Sequence, residues 1–152
     1  MFRLLASILT TVTATVLLVG VSSASTVPYR ERSSGTLTDV VPGHLAFNGQ
    51  GRATILGNYT SVGDNSFDDQ GHVLDGHITV TTQDNATATG VYSGTYAPLS
   101  SGQIQFTVTV TWQSGTGRLA GVTGQADVVA VIEAVAPGAG FRAEGLGRLV
   151  LP

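Results

Sequence analysis

The stretch Gln103-Ile104-Gln105-Phe106-Thr107-Val108-Thr109-Val110-Thr111-Trp112-Gln113 decides how this chain is read. Ile104, Phe106, Val108, Val110 and Trp112 occupy alternate positions, and Gln105, Thr107, Thr109 and Thr111 fill the gaps between them. Side chains point to opposite faces along a strand, so the segment has one apolar side and one threonine side. A helical period would scatter the same residues around a cylinder.

The same alternation recurs on both sides of this strand. In residues 73–83, Leu74, Ile78 and Val80 stand opposite Asp75, His77, Thr79 and Thr81. In residues 88–97, Tyr92 and Tyr96 share a face with Gly90 and Gly94. Large and small residues alternating in this way suit the tapering interior of a small barrel. Residues 125–136 are apolar on both faces: Ala126, Val128, Ala130, Ile132 and Ala134 fill one, while Val129, Val131 and Val135 share the other with Asp127 and Glu133. A strand apolar on both faces is usually covered on both. In a domain without helices the simplest cover is another subunit, so a homo-oligomer is expected.

Further strands are expected over residues 34–41, 52–62 and 141–151, with turns at Asn48-Gly49-Gln50-Gly51, Asp84-Asn85, residues 98–102 and Pro137-Gly138-Ala139-Gly140. Phe67 to Asp69 falls in an acidic loop with room for a short edge strand. No window shows a convincing helical period. Seven or eight strands joined by short turns make an all-β domain, a meandering barrel or a sandwich.

The N-terminus has a different character. Arg3, an apolar run from Leu4 to Val21, and the small residues Ser22 and Ala24 form the pattern of a signal peptide cleaved near Ala24-Ser25. A membrane-spanning helix needs about 20 apolar residues, and this run is diluted by Ser7, Thr10, Thr11, Thr13 and Thr15. No stable membrane anchor is therefore expected after cleavage, and the protein is expected to be secreted or periplasmic. The division is residues 1–24 as signal peptide, residues 25–33 as a polar leader with little structure, and residues 34–152 as the β-barrel domain.

Charge is scarce. Beyond the signal the chain has six Arg, no Lys and ten Asp plus Glu. It lacks a basic patch that could neutralise phosphates, so nucleic acid is not an expected partner. With no cysteine at all, stability must come from packing and hydrogen bonds rather than disulfides.

Two segments carry a family resemblance. Gly115-Thr116-Gly117-Arg118-Leu119-Ala120-Gly121-Val122-Thr123-Gly124 resembles the glycine-rich turn of the allene oxide cyclase and dirigent barrels and of bacterial proteins like them. Gly51-Arg52-Ala53-Thr54-Ile55-Leu56-Gly57-Asn58-Tyr59-Thr60 is similar to a strand of the bacterial branch, with Ile55 where that branch usually has His. The resemblance spans roughly residues 34–151. It implies an eight-stranded antiparallel closed barrel of calycin-like type, often trimeric, with an axial cavity. Gly115, Gly117, Arg118, Gly121 and Gly124 would then form a structural turn motif, with Leu119 tucked into the barrel end. No constellation here matches the plant cyclases' catalytic residues or the plant dirigent proteins' acidic residues, so the resemblance does not transfer an enzyme activity.

Candidate site residues are few. Tyr92, Tyr96, Phe106, Trp112 and His77 are candidates for the wall of a ligand cavity, aromatic rings with a few polar tips. His77 lies beside Asp75 and Thr79, and a carboxylate next to a histidine tunes an acid or base, although a solvated polar face is the commoner outcome. His72 and His77 are five residues apart on one strand, hence on opposite faces, which is a poor arrangement for a shared metal. The acidic segment Asp64-Asn65-Ser66-Phe67-Asp68-Asp69 lacks the EF-hand spacing. Glu133, Arg142, Glu144 and Arg148 are placed to pair across the last hairpin, where exposed pairs contribute little. The chain has no nucleophile elbow, phosphate loop or dinucleotide fingerprint, so no cofactor and no metal are expected. Three readings follow: a barrel that binds a small hydrophobic molecule or serves as a non-catalytic extracellular module, a cyclase-like or dirigent-like enzyme, and a structural envelope protein. A cavity of about 300 Å³ or more, lined by tyrosines and one charged group, would favour the enzyme.

Overall fold

A computed structural model describes residues 23–152 as a closed barrel of eight antiparallel strands in simple up-and-down order. Residues 1–22 of the proposed signal peptide lie outside the described residues. The strands are β1 (Ser25–Val41), β2 (His44–Ala53), β3 (Gly57–Phe67), β4 (His72–Thr82), β5 (Thr87–Pro98), β6 (Ile104–Gly115), β7 (Thr123–Ile132) and β8 (Gly140–Leu151). The single helical element among the described residues is a 3-10 turn at Gly117–Leu119. β1 pairs with both β2 and β8 and closes the barrel.

The alternation of β6 holds as expected. Phe106, Val108, Val110 and Trp112 are buried, and Thr107, Thr109 and Gln113 are exposed. The interior is apolar and the exterior is rich in threonine, the reverse of the polarity in barrels that span membranes. An eight-stranded barrel is just wide enough for its side chains or one small ligand.

One end is packed shut. Tyr29, Leu56, Leu119, Leu149 and Val122 are each at most 2% exposed, and they fill the end bearing the β2–β3, β4–β5 and β6–β7 connections. The opposite end is looser, with Phe47, Phe67, Tyr96, Ile104 and Phe141 only half-buried. Phe47 and Phe141 meet edge to face there, with ring centroids 5.4 Å apart.

Several expectations are corrected. Residues 25–33 are not a leader but the first half of β1, paired to β8 from Ser25↔Leu151 to Ser33↔Ala143. Their inward positions include Glu31 and Ser33, so the strand lacked the apolar alternation that reveals β6. Asn48-Gly49-Gln50-Gly51 is not a turn; it pairs with residues 33–36 of β1 within β2. Its glycines leave space for neighbouring side chains, since a Cβ on Gly51 would lie 2.6 Å from the Tyr59 hydroxyl. The real turn is at residues 54–56, inside the strand expected over residues 52–62, where Leu56 folds in to seal the closed end. The first part of the acidic loop, through Phe67, belongs to β3. β7 stops at Ile132, and Ala134 and Val135 are exposed beyond it.

A β-bulge in β4 reverses another expectation. Val73 and Gly76 pair with Gly94 and Tyr92 of β5, which sets two residues, Leu74 and Asp75, against Ser93 alone, and Asp75 takes a positive φ of 49°. The extra residue shifts the side-chain parity. Val73 therefore points inward and Leu74, expected on the apolar face, is 42% exposed. The same shift places His72 and His77 on the outer side rather than on opposite faces.

Candidate ligand site in the barrel lumen

A cavity of about 90 Å³ occupies the lumen. Its wall is mostly apolar: Leu37, Leu45, Phe47, Ile78, Phe106, Val108, Val110, Val128, Ala130, Ile132, Phe141 and Ala143. The polar lining residues are Glu31, Ser33, Tyr59, Ser61, Asn65 and Tyr92, and Glu31 is the one charged side chain among them. With a water's share of liquid volume at about 30 Å³, this is space for about three waters or one compact organic group.

Glu31 sits toward the closed end. The Tyr29 hydroxyl donates to its Oε2 at 2.5 Å and the Tyr59 hydroxyl donates to the same oxygen at 2.9 Å. No hydrogen bond from the described residues reaches Oε1. Gly145 of β8 makes this placement possible, because a Cβ there would lie 2.8 Å from Oε1. Burial first, and then the Glu31 charge, raise the pKa of both tyrosines far above the ordinary value, so they remain donors across the physiological range.

A second polar pair lies across the lumen. The Tyr92 hydroxyl is 3.0 Å from Asn65 Oδ1 and 3.1 Å from the Asp64 carbonyl oxygen, and donates toward both. Asn65 is 2% exposed, and its amide donates to the Ser66 carbonyl at 3.1 Å. The Tyr92 ring lies over Gly76, where a Cβ would come within 2.5 Å of it. Burial also raises the Tyr92 pKa strongly. These partners satisfy the buried groups and hold them at fixed positions.

The structure separates the expected site residues. Tyr92 and Phe106 line the cavity. Tyr96 faces inward but sits at the looser end, where its ring stacks on Phe106 at 5.6 Å and its hydroxyl donates to the Asp68 carbonyl. Trp112 lies outside the cavity, in the packing of the closed end, with its ring 6.3 Å from that of Tyr29. Its indole Nε1 is buried without a hydrogen-bond partner among the described residues. His77 is exposed on the outer surface, opposite Asp64 in the neighbouring strand, and takes no part in the lumen. Among the described residues, no three His, Asp or Glu side chains converge as a metal site.

The turn motif is a structural fastener. Arg118 Nε donates to Asp84 Oδ2 at 2.8 Å, while its terminal nitrogens donate to the carbonyls of Ile55 and Leu56 at 2.9 and 2.8 Å. One guanidinium thus ties three connections of the closed end together. Gly117, Gly121 and Gly124 hold φ of 58°, 76° and 128°, backbone that side chains other than glycine's rarely adopt. Gly115 has no space for a Cβ, with the Leu119 carbonyl 2.3 Å from its ideal position. Leu119 is buried at the barrel end. The expected pairing across the last hairpin is replaced by one exposed pair, Arg32–Glu144 at 3.2 Å, between β1 and β8.

Sequence reasoning missed Glu31 and its tyrosine partners. The available signal was the alternation of Tyr29, Glu31, Ser33 and Leu37 against Arg30, Arg32, Ser34 and Thr36. It is a period of two with polar residues on the inner face, and a hydrophobicity pattern does not report it.

No protein-family model matches the chain, and neither a curated protein nor a solved structure shows significant similarity to it.

Proposed function

We infer that this protein is an exported barrel that binds a small, largely apolar molecule in its lumen. The observation that carries this reading is the apolar cavity of about 90 Å³, whose polar groups are few and held in fixed positions. Binding sites for small molecules have this character, an apolar wall with a small number of placed polar groups. The likeness of the Gly115–Gly124 segment to cyclase and dirigent barrels supports an axial site of the same kind. Export rests on the N-terminal signal pattern. A homo-oligomer, with a trimer favoured, is supported by the exposed Val129 and Leu146 on the outer side of β7 and β8.

The test is titration of the mature chain with a small apolar fluorescent dye. Saturable binding is expected, and Ala130→Leu, which fills the lumen, should weaken it while leaving the strand circular-dichroism signal intact. The absence of saturable binding would overturn the reading.

The second reading is an enzyme that confines a reactive hydrophobic intermediate. Tyrosines surrounding one carboxylate favour it. The cavity of about 90 Å³ lies below the range of about 300–1,000 Å³ typical of ligand pockets, which limits a bound molecule to a compact group and leaves less room still for a rearranging intermediate.

A further inference from the structure

We propose that the lumen selects a ligand with a cationic ammonium head, using Glu31 as its counter-ion and the apolar wall for the remainder of the molecule. This rests on the reading that the lumen binds a ligand. Glu31 points into an apolar cavity and has no counter-ion among the described residues, whose three ion pairs all leave it out. The arginines on its own strand, Arg30 and Arg32, point outward and are exposed. Glu31 is half-buried, and a charge even partly withdrawn from water into an apolar wall is normally paired. Here the two phenols supply hydrogen bonds to one oxygen and no positive charge, and the other oxygen has no partner among the described residues.

The placement of the carboxylate sets the orientation. It lies toward the sealed end, with Phe47 and Phe141 at the looser end of the same cavity. A ligand would enter with its ammonium first and leave its apolar part among Phe106, Ile132 and the two phenylalanines. The ammonium would donate to Oε1, a charge-assisted hydrogen bond within a mostly apolar wall. A ligand carboxylate would meet a like charge, so fatty-acid-type anions are disfavoured. The cavity of about 90 Å³ is smaller than the roughly 150 Å³ that holds benzene, so the ammonium and its adjoining carbon would sit inside while a ring extends between Phe47 and Phe141 at the looser end.

The experiment compares three isosteres by calorimetry on the mature chain: benzylamine, benzyl alcohol and benzoate. Benzylamine should bind about ten- to a hundredfold more tightly than benzyl alcohol, the range of a hydrogen bond to a charged group, and benzoate should bind most weakly. Glu31→Gln should erase the preference for the amine and leave binding of the alcohol. The wild-type series needs no variant, so it decides the matter even if Glu31→Gln fails to fold. Equal affinity for amine and alcohol, or a preference for benzoate, overturns the cation selection and leaves lumen binding standing. No binding of any of the three, together with a failed dye titration, overturns both.

Discussion

At the residue scale, the lumen is organised by side chains leaning across glycines on neighbouring strands. Glu31 lies against Gly145, Tyr59 against Gly51 and Tyr92 against Gly76, each where a Cβ would fall within 3.0 Å of the side chain. Tyr59 and Tyr92 are buried, as is Tyr29 beside Glu31, and this burial makes stability depend on pH at the alkaline end. The folded-state pKa values of Tyr29, Tyr59 and Tyr92 are raised above the ordinary 10.0, chiefly by burial. A raised pKa contributes stability that is fully present below the unfolded value and is lost as pH rises toward the folded one. Stability should therefore fall as pH rises above about 10. Phenolate absorbance of these three residues should appear together with the loss of the strand signal. Smooth ionisation of Tyr29, Tyr59 and Tyr92 near pH 10 in the folded protein would contradict the burial described for them.

At the scale of elements, the closed end depends on Arg118 and the 3-10 turn that carries it. Arg118→Ala removes hydrogen bonds to Ile55, Leu56 and Asp84 in a single step. The arginine is 41% exposed, so solvent screening reduces their worth. A loss of about 1–2 kcal/mol is expected, mostly from the two carbonyl contacts. It should appear as a lower midpoint of thermal unfolding. Arg118→Lys should recover only part of it, because an ammonium cannot present the planar fork that reaches three acceptors. An unchanged midpoint in Arg118→Ala would show that apolar packing alone seals this end. The β4 bulge acts at the same scale: one added residue turns Leu74 outward and Gly76 inward, clearing the space that the Tyr92 ring occupies.

At the scale of the whole molecule, closure removes the free sheet edges that would otherwise recruit other chains. The outer surface still exposes Leu146 at 60% and Val129 at 42% on adjacent strands. Light scattering on the mature protein at micromolar concentration is expected to give the mass of an oligomer, with a trimer favoured. The double substitution Val129→Lys and Leu146→Glu should shift it to a monomer without loss of strand content. A wild-type monomer under these conditions would refute the assembly.

The sequence by itself determined the class of fold, because an alternating strand such as residues 103–113 and glycine- or proline-marked turns have few other solutions. It also pointed to Tyr92 and Phe106 as inward-facing, since parity within a regular strand is a local property. The tertiary structure decided what parity could not. Residues 25–33 became a strand only because β8 lies alongside to pair with them. The bulge at Asp75 moved Leu74 and His72 to the outside through register with β5. Glu31 became the polar centre of the lumen because Tyr59 and Gly145, on strands far apart in sequence, converge on it beside Tyr29 of its own strand. A hydrophobicity pattern reads polar residues as outward, and only closure of the barrel puts a carboxylate inside with hydrogen bonds to hold it there.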